Sequence, residues 1–224
     1  MVIELLAEKR PGQRPLAEYL QPRSLQPGQE PEERVVFGGI SWENYLALDR
    51  ALGDDRPGPR LYYLDGELEI MTTSAKHERA KTYLGDLLGD FMVERGIPAF
   101  PRGQATMRIL QEAGAEPDES WCIPENKDDE TGFPDLVVEI VLTSGGIAKL
   151  EIYRRFGVAE VWFWRREQVE VWRLRADASG YDRAPQSVLL PGLDFALLQR
   201  CLAMAPRWIE ARRAFREGLR LPQA

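Results

Sequence analysis

The segment Pro134 to Leu142, PDLVVEIVL, constrains this chain more than any other: it is an almost unbroken apolar run of strand length with a carboxylate inside it. A strand of that composition is covered on both faces, as in a sheet with other layers packed against it. Glu139 then lies in the apolar interior with no base beside it in sequence, and a buried carboxylate is costly unless something pairs with it. Asp135 shares its strand face, but four residues of extended chain separate the two by about 13 Å at roughly 3.3 Å per residue. One ion cannot easily join them. A second acid has to come from a neighbouring strand, and Asp118, in Glu116-Pro117-Asp118, opens the preceding candidate strand. Asp118 with Glu139 is the simplest pair able to hold a divalent cation whose shell is completed by water.

Composition narrows which cation that can be. The only histidine is His77 and the only cysteines are Cys122 and Cys201, which excludes thiolate zinc clusters, multi-histidine sites and a disulfide framework. A metal here is held by carboxylates and water, the chemistry of Mg2+ or Mn2+. Such an ion lowers the pKa of its water and neutralises charge on a phosphoryl oxygen, and a nearby ammonium can orient the attacking water. Lys149 is the candidate for that ammonium. It falls in the first turn of a predicted helix after Gly145-Gly146, where the helix dipole mildly disfavours a cation, although Glu151 nearby offsets the charge.

Charge is unevenly distributed. The 36 acidic and 29 basic residues give a net charge of −7, which argues against a sequence-independent nucleic-acid binder. Yet residues 111–139 hold ten acids against the single base Lys127, so the remainder of the chain is slightly basic. Seven bases against four acids lie between Lys149 and Arg175, and five arginines against two glutamates between Arg207 and Arg220. An acidic site flanked by basic surface fits this segregation.

The 224 residues are enough for one full domain with trimmings. No run of eighteen apolar residues crosses a bilayer, and MVIELLAEKRPGQRP does not read as a secretory signal, so no membrane association and a cytoplasmic location are expected. Residues 10–33 are rich in Pro, Gln and Arg and read as a tail or docking arm, giving an N-terminal arm over 1–34, a domain over 35–204 and a helical C-terminal extension over 205–224. A short helix capped by Ser41 ends at the Gly53–Gly58 turn cluster. LYYL and ELEIMT flank Asp65-Gly66, the clearest hairpin in the chain. Ala80, Tyr83, Leu84, Leu87, Leu88, Phe91 and Met92 mark an amphipathic helix over 75–94. Strands follow at 104–110, 118–123 and 134–142, then a helix over 147–156, strands in AEVWFW and QVEVWRLR, and helices near 193–203 and 206–219. The order predicts an α/β fold with a mixed sheet flanked by helices.

GELEIMTTSAKHERAKTYLGDLL, EPD, PDLVVEIVLTS and KLEIYRRFGVAEVWFW together resemble the Uma-two family of restriction endonucleases, a branch of the PD-(D/E)xK nuclease superfamily. The similarity covers about residues 40–200 and is most specific over 134–164. It implies a restriction-endonuclease-like core, hydrolysis of DNA phosphodiester bonds, DNA as partner and a magnesium-type cofactor. It assigns Asp118 as the first motif acid and Glu139 as the second. The motif lysine expected two residues after Glu139 is replaced by Val141, and Lys149 matches the family's migrated lysine. Glu67 and His77 also match the pattern. Two departures stand out: the polar ESWCIPENKDDETG after Asp118, and Arg165 where the family usually has an aspartate.

Each candidate also has a structural reading. Glu139 could pair with a buried arginine, Asp118 could serve a turn, and Lys149 could be a solvated helix lysine. His77 falls on the core-facing side of its helix, where a packed, hydrogen-bonded imidazole is the simpler expectation. Glu67 shares a hairpin face with Glu69 and could be solvated. Trp162, Trp164 and Trp172 read as core or interface rather than base-stacking platforms. The overall alternatives to a nuclease are a catalytically inactive nuclease-fold DNA-binding module and a protein-interaction module; a homodimer is compatible with each.

Overall fold

A computed structural model describes residues 33–53, 58–123, 132–142 and 146–220. The predicted arm up to residue 32, the acidic stretch 124–131 and Gly145 lie outside the described residues. In chain order the first elements are β1 (Arg34–Gly38), α1 (Trp42–Leu52), β2 (Arg60–Leu64), β3 (Glu67–Met71) and α2 (Ala75–Arg95). Then come β4 (Phe100–Pro101), β5 (Met107–Ile109), β6 (Ala113–Ala115), β7 (Glu119–Cys122), β8 (Leu136–Val141) and α3 (Lys149–Arg155). The chain closes with β9 (Glu160–Arg165), β10 (Gln168–Leu174), β11 (Tyr181–Ala184), α4 (Phe195–Leu202) and α5 (Trp208–Arg220).

The strands form two sheets. One is antiparallel with order β1-β3-β2-β6-β5; the other is mixed with order β11-β10-β9-β8-β7-β4. Among the described residues only the mixed sheet contains a parallel pair, β8 with β9, and α3 lies in the crossover that such a pair requires. The expected α/β architecture is present, and the second sheet goes beyond the sequence reading. It is built from the predicted hairpin together with β1, β6 and β5. Of the strands the patterning did not reveal, β4 is two residues and includes a proline, β6 is Ala-Gly-Ala, and β1 and β11 are five and four residues long. Alternation over so few positions carries no usable period.

Local chemistry sets the elements that matter for the site. Asp65 and Gly66 take positive φ values of 47° and 89°, making the two-residue turn that fixes β2 against β3. The Ser41 hydroxyl accepts the Asn44 amide at 3.2 Å to cap α1, and the Ser74 hydroxyl accepts the His77 amide at 3.2 Å to cap α2.

β8 is buried at every position and separates two apolar layers. Leu136, Val138 and Ile140 face a core shared with Leu84, Leu88 and Phe91 of α2, Leu198 of α4 and Phe215 of α5. Val137 and Val141 face a second core containing Tyr62 and Met71 of the antiparallel sheet and Ile152 and Tyr153 of α3. By alternation Glu139 points toward this second core. Asp135, at the strand entrance, accepts the Ile123 amide at 2.8 Å and so organises the loop backbone there.

Candidate active site

The antiparallel register of β7 on β8 pairs Glu119 with Val138, Ser120 with Val137 and Trp121 with Leu136. Continuing it by one residue puts Asp118 opposite Glu139, and directly opposed residues project from the same face with Cβ atoms about 4.5–5.5 Å apart. Both side chains are essentially inaccessible, at 1% and 0% exposure.

Every oxygen of the pair has a protein donor. Asp118 Oδ1 is 2.8 Å from His77 Nε2, and Asp118 Oδ2 accepts the Ile140 amide at 2.7 Å. Glu139 Oε2 accepts from Lys149 Nζ at 2.8 Å, and Oε1 accepts from the Tyr153 hydroxyl. The Tyr62 hydroxyl lies 3.1 Å from Glu139 Oε2 and 2.9 Å from the Glu116 carbonyl, with one proton to give to either. Lys149 Nζ also stands 3.7 Å from the centre of the Tyr62 ring, a cation–π contact in a buried setting. The fold thus gathers Asp118, Glu139, Lys149 and His77 from four segments of the chain.

Electrostatics distinguishes the two acids. Burial acts to raise the Asp118 pKa, but the hydrogen bond and charge of His77, together with Lys149 and the Ile140 amide, hold it below the usual carboxylate range. Burial also dominates at Glu139, Lys149 and Tyr153 offset it only in part, and repulsion from Asp118 adds to it, so its pKa is raised. Two opposed carboxylates driven apart in this way are a common arrangement in acid–base and metal sites.

Glu67 is placed differently. It stands exposed at the turn end of β3, opposite Leu64 and Gly38 in register. Glu69, two residues on, is fully buried; its Oε2 accepts the Ile147 amide at 2.7 Å and its Oε1 is 3.7 Å from Arg34 Nε. Gly146, at φ 105°, allows this approach, since a Cβ there would overlap the Glu69 carboxylate. Glu69 therefore anchors the entrance to α3 and with it the position of Lys149. Glu69, Tyr62 and Tyr153 are the site residues that sequence reasoning did not single out. Tyr153 was within reach, being four residues after Lys149 on the same helix face; Tyr62 and Glu69 depend on how the two sheets pack.

The donor set suits a hard divalent ion. Each carboxylate oxygen has two lone pairs, and single donors occupy three of the four oxygens of Asp118 and Glu139, leaving acceptor capacity. Among the described residues no group of three or more His, Cys, Asp or Glu side chains is placed to hold a metal ion, so an ion at this pair would have to draw the rest of its shell from water.

Comparison with known proteins agrees with this architecture. A crystal structure from Anabaena variabilis, described as "a putative nuclease belonging to DUF820", superposes with a TM-score of 0.53 at 15% identity over 73% of this chain and 99% of that one. The likeness shows a shared fold. No protein of curated function matches the chain. The family described as "Putative restriction endonuclease", Uma2, matches residues 42–205, and the chain belongs to that family.

Proposed function

We propose that this chain is a divalent-metal-dependent endonuclease that hydrolyses DNA phosphodiester bonds, with Asp118 and Glu139 as metal ligands and Lys149 as the catalytic cation. The observation that carries the reading is the opposed register of Asp118 and Glu139 with the Lys149 ammonium on Glu139. The family description and the nuclease fold support it. A Mg2+ or Mn2+ ion bound there would supply charge neutralisation at the phosphate and a water of lowered pKa.

The chain's own residues have separable tasks. His77 fixes the Asp118 carboxylate through Oδ1, while the Ile140 amide fixes Oδ2. Tyr153 holds Glu139 Oε1 and fixes that carboxylate in place. Lys149 bridges Glu139 and the adjoining cavity, where its ammonium can orient the attacking water or stabilise charge on the phosphorane-like transition state. Glu67, exposed and remote from these hydrogen bonds, has no step in this scheme.

A second reading is favoured by one observation, the engagement of every oxygen of both carboxylates by a protein donor at nearly zero exposure. It is a nuclease fold kept as a catalytically inactive DNA-binding or protein-interaction module. Incubation of the purified chain with supercoiled plasmid and Mg2+ or Mn2+ separates the two. The proposal expects ion-dependent nicking that Glu139→Gln and Asp118→Asn abolish. Equal nicking by wild type and Glu139→Gln refutes it, and DNA retardation without nicking, unchanged by Asp118→Asn, supports the inactive module.

A further inference from the structure

Beyond the Lys149 corner, the cavity beside the proposed nuclease site has features of its own. It has a volume of about 550 Å³, within the roughly 300–1,000 Å³ of small-molecule sites, and lies between the start of α3 and the β9–β10 hairpin. Its wall carries four cations, Arg34, Lys149, Arg165 and Arg166, and one acid, Glu170. Glu170 is itself engaged by Arg183 at 3.6 Å and Arg165 at 4.0 Å. On a chain of net charge −7 this is a local reversal of sign. Arg34 and Lys149 are partly committed to Glu69 and Glu139, whereas Arg165 and Arg166 are exposed at the mouth.

Two aromatic rings complete the wall, Phe163 and the half-buried Trp172. The Trp172 Nε1 is shielded from solvent and has no hydrogen-bond acceptor among the described residues. Beside it, the β9–β10 turn holds Arg166 and Glu167 at φ values of 50° and 62°. Asn and Gly take that conformation far more readily, so a cost is retained where the two arginines meet the cavity.

We propose that this cavity receives one unpaired nucleotide of a DNA strand, the base stacked on Trp172 and the flanking phosphates on Arg165 and Arg166. The substrate of the proposed nuclease site is then single-stranded or locally unpaired DNA rather than intact duplex, an inference that rests on the reading of that site as a nuclease. A duplex can lay its backbone on exposed arginines but cannot put a base into a concavity without extruding it, whereas an unpaired strand offers its base at no such cost. Trp172 packs against the second core, as read from sequence, and in this proposal also gives the base its stacking surface.

The test is fluorescence anisotropy of the full chain with a labelled oligonucleotide, single-stranded or annealed to its complement, in EDTA so that binding is read without cleavage. Wild type is expected to bind the single strand about tenfold more tightly than the duplex, in line with the strength of base–aromatic stacking. Trp172→Leu brings the two affinities together, and Trp172→Phe, which keeps a ring, retains the preference to within about threefold. Arg166→Ala, at an exposed turn, weakens both forms and flattens the salt dependence. Equal affinities in wild type, or a preference unchanged in Trp172→Leu, overturns the proposal. Strand preference without nicking in Mg2+ overturns only the nuclease reading, and nicking without strand preference overturns only the cavity.

Discussion

Replacing Lys149 by Met tests whether Glu139 and Lys149 act as a unit. The pair is closed at 2.8 Å, with Glu139 at 0% and Lys149 at 7% side-chain exposure. Removing one partner of a buried ion pair costs about 3–5 kcal/mol, because the other charge is left uncompensated. Tyr153 and Tyr62 still offer hydroxyl donors to Glu139, which puts Lys149→Met at the lower end, about 3 kcal/mol. Glu139→Gln leaves the ammonium beside a water-accessible cavity and costs about 1–2 kcal/mol. The double variant has no orphan charge and costs about 1–2 kcal/mol, so the coupling is about 3 kcal/mol.

Urea unfolding in EDTA at about pH 8 measures all three. The sign of the pH effect follows from the raised Glu139 pKa: the folded chain holds that proton more tightly than the unfolded one. Stability from this group is complete below its ordinary pKa of 4.5 and is lost as pH rises through the folded value. Without Lys149 the folded value climbs further, so the Lys149→Met deficit shrinks on acidification. Additivity of the two single variants to within about 0.5 kcal/mol would refute the reasoning.

Two further predictions concern the half-buried Glu119 and the buried Asp90. Glu119 has its pKa pushed up to about 7 by burial, with Lys81 opposing and Asp118 reinforcing; its stabilising protonated form is present below 4.5 and lost as pH rises through about 7. Glu119→Gln should therefore match wild type near the acid end and exceed it by about 1–2 kcal/mol at about pH 8 after allowance for partial solvent screening, and a pH-independent difference in urea midpoint would contradict this. Asp90 joins α2 to α5 through Arg212 at 2.6 Å and Arg216 at 2.6 Å. Burial opposes but the two arginines prevail, holding its pKa below 3.8. That stability is present above 3.8 and lost as pH falls through the folded value. Asp90→Asn should cost about 1–2 kcal/mol at about pH 7 and progressively less on acidification, and a deficit that grows in acid would be the contrary result.

How far the sequence reaches depends on the length of the pattern. The helix over Ala75–Arg95 and the doubly buried β8 repeat their periods often enough to be read directly, and Asp65-Gly66 fixes a hairpin by turn chemistry alone. β6, as Ala-Gly-Ala, and the two-residue β4 exist because neighbours pair with them, which no local signal encodes. The same division runs through the site. The cost of burying Glu139 required a partner, and strand order pointed to Asp118, but the alternative of a buried arginine stayed open until Lys149 took that place. Glu69 shows the limit most clearly: it differs from Glu67 by two residues on one strand face. Only the packing of β3 against the start of α3 buries one and leaves the other at the turn end in solvent.

If Asp118 and Glu139 together hold one divalent ion, calorimetric titration of Mn2+ into the metal-stripped chain should show binding at one ion per chain, lost in Asp118→Asn and in Glu139→Gln. No binding by wild type, or binding undiminished in Asp118→Asn, would contradict it.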